Sequence, residues 1–169
     1  MHKWLLLPLL AGITAYSSAA EMEVNVEIPR LEVAEYHRPY VAIWIENSQG
    51  HVANLAVWYD IKQHDNEGEK WLKDLRQWWR RSGRTLDLPV DGLSSATRPA
   101  GEQTLHLSAD HPALQALTPG DYTLVVEAAR EVGGREVVKL PFSWPASESH
   151  TLQDKGNNEL GRIRLQLLP

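Results

Sequence analysis

Apolar and polar residues alternate with a period of two over most of the chain. Met22, Val24, Val26 and Ile28 are apolar and Glu23, Asn25 and Glu27 polar, the pattern of a strand buried on one face, and Pro29 ends it. Two more strands are predicted at 40–46 and 54–61, joined by the polar stretch Asn47-Ser48-Gln49-Gly50, which supplies a glycine for a tight turn. Further strands follow at 103–107, 121–128, 136–144 and 161–168. Thr118-Pro119-Gly120-Asp121 is a turn opening one of them, and Gly133-Gly134 closes the hairpin after it. Residues 147–158 are polar and are expected to form a long loop.

One segment breaks the period. Trp71, Leu72, Leu75, Trp78 and Trp79 are spaced i, i+1, i+4, i+7 and i+8, which places all five on one face of an α-helix over about residues 69–82. Asn66 with Glu69 is a start signal and Gly83 a stop, and Arg80 and Arg81 fall in the last turn, where cations suit the helix dipole. About seven short strands and one inserted amphipathic helix predict a mainly β chain. The expected architecture is an antiparallel β-sandwich of the immunoglobulin or fibronectin type III kind, with a barrel as the alternative.

The first twenty residues stand apart. They carry Lys3, an apolar run through 4–13 and the small residues Ser17-Ser18-Ala19-Ala20, the three parts of a secretory signal cleaved before Glu21. The run is shorter than the roughly 20 residues of a membrane-spanning helix. Residues 21–169 then form a single domain, and the formal charge of −5 becomes −6 when Lys3 leaves with the signal. An acidic surface of this kind argues against nucleic acid as a partner. Cysteine is absent, so no disulfide or thiolate chemistry is available. Export without disulfides points to the periplasm of a Gram-negative bacterium.

Motifs for autonomous catalysis are scarce. The histidines lack metal-ligand spacing, no G-x-S-x-G elbow or glycine-rich phosphate loop occurs, and Asp87 with Asp91 fits a turn as well as a carboxylate pair. Trp58, Trp71, Trp78 and Trp79 remain. Such rings at helical spacing serve a core, and one or two of them suit a wall for a planar ligand.

The order of several segments carries a resemblance: Tyr40-Val-Ala-Ile-Trp-Ile-Glu, Asn54-Leu-Ala-Val-Trp, Lys70-Trp-Leu-Lys-Asp-Leu-Arg-Gln-Trp-Trp-Arg, residues 91–99, and Gly120-Asp-Tyr-Thr-Leu-Val-Val-Glu. In these the chain resembles a family of predicted periplasmic proteins, domain of unknown function 2271. Asp91-Gly92-Leu93-Ser94-Ser95-Ala96-Thr97 also resembles the acceptor motif of periplasmic flavin transferases, with Ser95 where that motif most often has glycine.

That second resemblance implies FMN joined to Thr97 through a phosphoester by a periplasmic FAD:protein FMN transferase that recognises Asp91, with small neighbours at Ser94, Ser95 and Ala96. Arg98 would pair with the phosphate, and some of Trp58, Trp71, Trp78 and Trp79 would shield the flavin. Pro89 and Pro99 are expected to hold the segment out of regular ladders. The implied role is electron transfer between a membrane-bound reductase or other redox protein and an extracytosolic acceptor, with no autonomous catalysis. The competing expectation is a cofactor-free periplasmic binding or assembly module.

Overall fold

The computed structural model describes residues 20–62 and 64–169. The signal expected over 1–20 therefore lies, apart from Ala20, outside the described residues. Among the described residues nine strands form: β1 (Glu21–Ile28), β2 (Tyr40–Asn47), β3 (Gly50–Tyr59), β4 (Ser94–Ala96), β5 (Gly101–Leu107), β6 (Gly120–Ala129), β7 (Arg135–Trp144), β8 (His150–Lys155) and β9 (Arg162–Leu168). Three short helices join them, α1 (Glu67–Lys70), α2 (Arg76–Arg81) and α3 (Pro112–Gln115).

The strands make a four-stranded sheet in the order β5-β1-β9-β8 and a five-stranded sheet in the order β4-β3-β2-β6-β7. All pairings are antiparallel except that of β4 with β3, which is parallel. The two sheets share one core, so the molecule is sandwich-like. Met22, Val24, Val26 and Ile28 of β1 meet Val41, Ile43 and Ile45 of β2 and Ile163, Leu165 and Leu167 of β9 in it, as the alternation requires.

β2 is apolar on both faces for a reason. Its even residues Ala42 and Trp44 belong to a second cluster on the outer side of the five-stranded sheet, with Val57, Tyr59 and Val125. Leu72, Leu75 and Trp78 cover that side and are fully buried, each contributing about 1.5–3 kcal/mol of hydrophobic stabilisation. Of the five residues that the periodicity places on one face, these three are buried, whereas Trp71 is exposed and Trp79 half-buried.

The periodicity does not give the right backbone. The single helix expected over 69–82 is interrupted: after α1 come Trp71, a 3-10 turn at Leu72–Asp74 and Leu75 at φ −74°, ψ 68°, and only then α2. Asn66 precedes α1 at φ 57° and makes no side-chain cap. The N-terminus of α2 is held from outside the segment. Glu127 of β6, fully buried, accepts the backbone N–H groups of Gln77 at 3.0 Å and Trp78 at 2.7 Å, and Arg135 Nε donates to it at 2.6 Å. A carboxylate at that place satisfies donors that the helix itself leaves open.

Two further expectations are corrected. The polar stretch 147–158 contains β8, an edge strand with only Leu152 packed on the core, so its residues need not alternate. The segment 91–99 does join a ladder, through β4, with Ser94, Ser95 and Ala96 opposite Val57, Trp58 and Tyr59.

Candidate functional site

The acceptor-like segment starts with a turn. Leu93 N–H donates to Val90 O at 3.2 Å, with Gly92 at φ 75° in the third position, where a turn of this type needs a left-handed residue. Asp91 stands exposed at its apex. Ser94 then closes the turn twice, its N–H donating to Val90 O at 2.8 Å and its hydroxyl accepting from Val90 N–H at 3.0 Å. From there the chain is extended. Ser95 lies within β4 and has no positive φ, so serine in place of the more usual glycine strains nothing in the folded chain.

Beyond the end of β4 at Ala96, the next two side chains diverge. Arg98 lies 5.3 Å from the ring of Trp58 and donates to Ser95 Oγ at 3.3 Å. Thr97, whose N–H donates to Tyr59 O at 3.1 Å, instead lines a cleft of about 670 Å³. The cleft sits at the end of the five-stranded sheet where β2 begins and β3, β4 and β6 finish. Tyr36, Tyr40, Asp60, Glu67, Trp71 and Asp74 line it, along with Arg38 and the β6–β7 turn at residues 130–132.

Its lining is largely charged, but exposed large side chains gather there. The exposed large hydrophobic side chains among the described residues are Val33, Tyr36, Trp71 and Val132, and the last three all line this cleft. The helix interruption turns Trp71 outward, leaving it 49% exposed. Val132 holds φ 52°, a conformation that costs a β-branched residue free energy. The turn that imposes it is fixed by Glu159: Arg130 Nε and Nη2 donate to it at 2.8 and 3.0 Å, and Gly134 N–H at 2.8 Å. Burial, opposed by a hydrogen bond with the Asp60 backbone and aided by the charges of Asp60 and Glu131, pushes the Tyr40 phenol above its ordinary range, so it stays a neutral donor.

The four tryptophans thus separate. Trp71 is on the Thr97 cleft. Trp58 is 3% exposed in the inter-sheet core, and Trp78 is fully buried with its indole N–H donating to Asn54 Oδ1 at 2.9 Å, so neither offers a face to a ligand. Trp79 is half-buried and lines a different hollow, with Lys73, Arg76, Arg80 and Arg135.

The sequence profile of the DUF2271 family, described as predicted periplasmic protein, matches residues 21–162. The chain belongs to this family. No curated protein matches the DUF2271 chain. Among solved structures it is similar, at TM-score 0.32 and 9% identity, to human GIVD cytosolic phospholipase A2 in complex with a fluorophosphonate inhibitor and terbium chloride. That likeness covers 88% of this chain and 17% of the other, and it has no bearing on function. No helix among the described residues is long and apolar enough to cross a membrane.

Tested against FMN, the site has a hydroxyl at Thr97, a volume within the roughly 300–1,000 Å³ of ligand pockets, open rings at Trp71 and Tyr36, and a cation at Arg38. These residues fit the group. Arg98, expected at the phosphate, is engaged on the Trp58 side. The lining residues Tyr36, Arg38, Tyr40, Asp60 and Arg130 were not legible as a site, since they flank three strands far apart in sequence. Only the order β3-β2-β6 brings them to one end.

Proposed function

We propose that this protein is a periplasmic electron carrier bearing FMN on Thr97, exported by a signal cleaved before Glu21. The observation that carries the reading is the position of Thr97: the acceptor-like residue lines the cleft around which Tyr36, Trp71 and Val132 are exposed. Attachment requires the Thr97 oxygen to take the FMN phosphoryl group from FAD, breaking the pyrophosphate bond and releasing AMP and the hydroxyl proton. Asp91 at the turn apex and the small residues 94–96 on an edge strand are open to the transferase that catalyses this step.

In the cleft, Trp71 and Tyr36 offer rings to a planar group, and Arg38 offers charge to the phosphodiester. Bound FMN supplies reversible electron transfer with a membrane reductase or another redox protein. Asp60, Glu67, Asp74 and Glu131 also line the cleft. Their charge opposes the negative charge gained on reduction, so the potential is expected below that of free FMN. The test is co-expression with a periplasmic flavin transferase followed by denaturing electrophoresis. Flavin fluorescence on the wild-type band and none on Thr97→Ala supports the reading, whereas a dark wild-type band beside a labelled control substrate refutes it.

We further propose that the sandwich is of the immunoglobulin or fibronectin type III kind. The order β7-β6-β2-β3 and the Tyr122 hydroxyl, which donates to Thr118 O at 2.8 Å beside the start of β6, support kinship with immunoglobulin and fibronectin type III sandwiches, whose tyrosine corner has this form.

A further inference from the structure

We propose that the exposed face of α2 is a docking surface for an acidic protein, seated beside the Thr97 cleft. Lys73, Arg76 and Arg80 are exposed and surround Trp79, with Arg135, in one open hollow of about 410 Å³. No carboxylate lines that hollow, in a chain whose formal charge is −5. Lys73 lies 5.9 Å from the Trp71 ring, and Arg80 Nε donates to Arg76 O at 3.1 Å, so neither is spent on an acid. Arg135 alone is paired, through Nε to Glu127.

Tryptophan among arginines is the composition of a protein interface centre. Three cations without an acidic partner, Lys73, Arg76 and Arg80, select a carboxylate-rich face over a neutral or basic one, and the hollow is too open to enclose a small ligand. The surface is also held in place. Glu127 fixes both the start of α2 and Arg135, and Trp79 packs at 6.4 Å on the buried Trp78.

Its position gives the docking a purpose. The hollow shares Arg76 and Arg135 with a second depression, which shares Asp74, Ala129 and Arg130 with the Thr97 cleft. A partner on the cations therefore abuts the cleft. That this partner exchanges electrons rests on the FMN reading; the docking itself does not require flavin.

The test uses the flavin-free mature chain, labelled with ¹⁵N at tryptophan, and the soluble domain of cytochrome b5 as an acidic probe at low ionic strength. The Trp79 indole resonance, assigned with Trp79→Phe, should shift saturably. About 0.2 M salt, or the pair Arg76→Glu and Arg80→Glu, should weaken binding tenfold or more. Basic cytochrome c should leave the resonance in place. Circular dichroism checks that the doubly substituted chain is folded, as expected for two exposed positions. An unmoved Trp79 resonance, or equal binding by the double variant, overturns the proposal. So does a shift produced only by phosphatidylglycerol vesicles, since that would make the surface a lipid site. Loss of the FMN reading would show in flavin labelling and leave this result unchanged.

Discussion

Glu127 offers the sharpest test of how the helical segment is held. Replacing it with alanine removes a fully buried carboxylate from two backbone N–H groups, at 3.0 and 2.7 Å, and from Arg135. A buried donor left without an acceptor costs about 1–3 kcal/mol. Arg135 is 35% exposed and regains water, so its loss adds less than about 1 kcal/mol. The expected total is about 3–5 kcal/mol, in line with removing one partner of a buried pair. For a chain of this size that lowers Tm by roughly 10 °C. Glutamine keeps one carbonyl acceptor and should lose about 1–2 kcal/mol. Urea unfolding by far-UV circular dichroism gives the stability, and near-UV ellipticity reports the packing of Trp78. An alanine variant that loses less than about 1 kcal/mol would refute the claim that β6 anchors α2.

Four other substitutions test separate parts of the structure. Glu136 accepts backbone N–H groups of Asn157, Asn158 and Leu160 at 2.6, 3.1 and 2.9 Å; burial raises its pKa, but these bonds outweigh it and hold the carboxyl below its ordinary 4.5. Its contribution is therefore complete above pH 4.5 and lost as pH falls through the folded value, so the stability gap between wild type and Glu136→Gln should be widest near neutrality and close in acid, measured by urea titration at several pH values. Gly83→Ala would place a Cβ 2.6 Å from the Trp78 ring and should destabilise by about 1–3 kcal/mol in the same assay. Trp78→Ala should cost about 3–5 kcal/mol, whereas Trp71→Ala should leave Tm nearly unchanged and instead raise the fluorescence of attached flavin by removing an open ring.

The residues of the fold were more legible than its backbone. Alternation located seven strands because each buries a face against the inter-sheet core, but it did not show that β2 buries its other face as well, under the helical segment. β8 was hidden because Leu152 alone of its residues packs on the core, and β4 because three residues at an edge carry no period. The helix periodicity grouped five residues, of which Leu72, Leu75 and Trp78 are buried and Trp71 and Trp79 are not, and 3.6-residue spacing does not reveal that Glu127, some fifty residues on, holds a restart at Arg76. That interruption is what exposes Trp71. Within the cleft, Thr97 and Trp71 had been singled out by motif and periodicity, while the direction taken by Arg98 past the end of β4 and the gathering of Tyr36, Asp60 and Arg130 depend on how the strands are ordered.

Attachment of FMN to Thr97 is read out by the intact mass of the mature chain. Protein co-expressed with an active periplasmic flavin transferase should gain the mass of one FMN less one water, with the added mass mapping to the peptide containing Thr97 and absent from Thr97→Ala. An unmodified wild-type mass beside a fully modified control substrate, or FMN mapped to another residue, would contradict it.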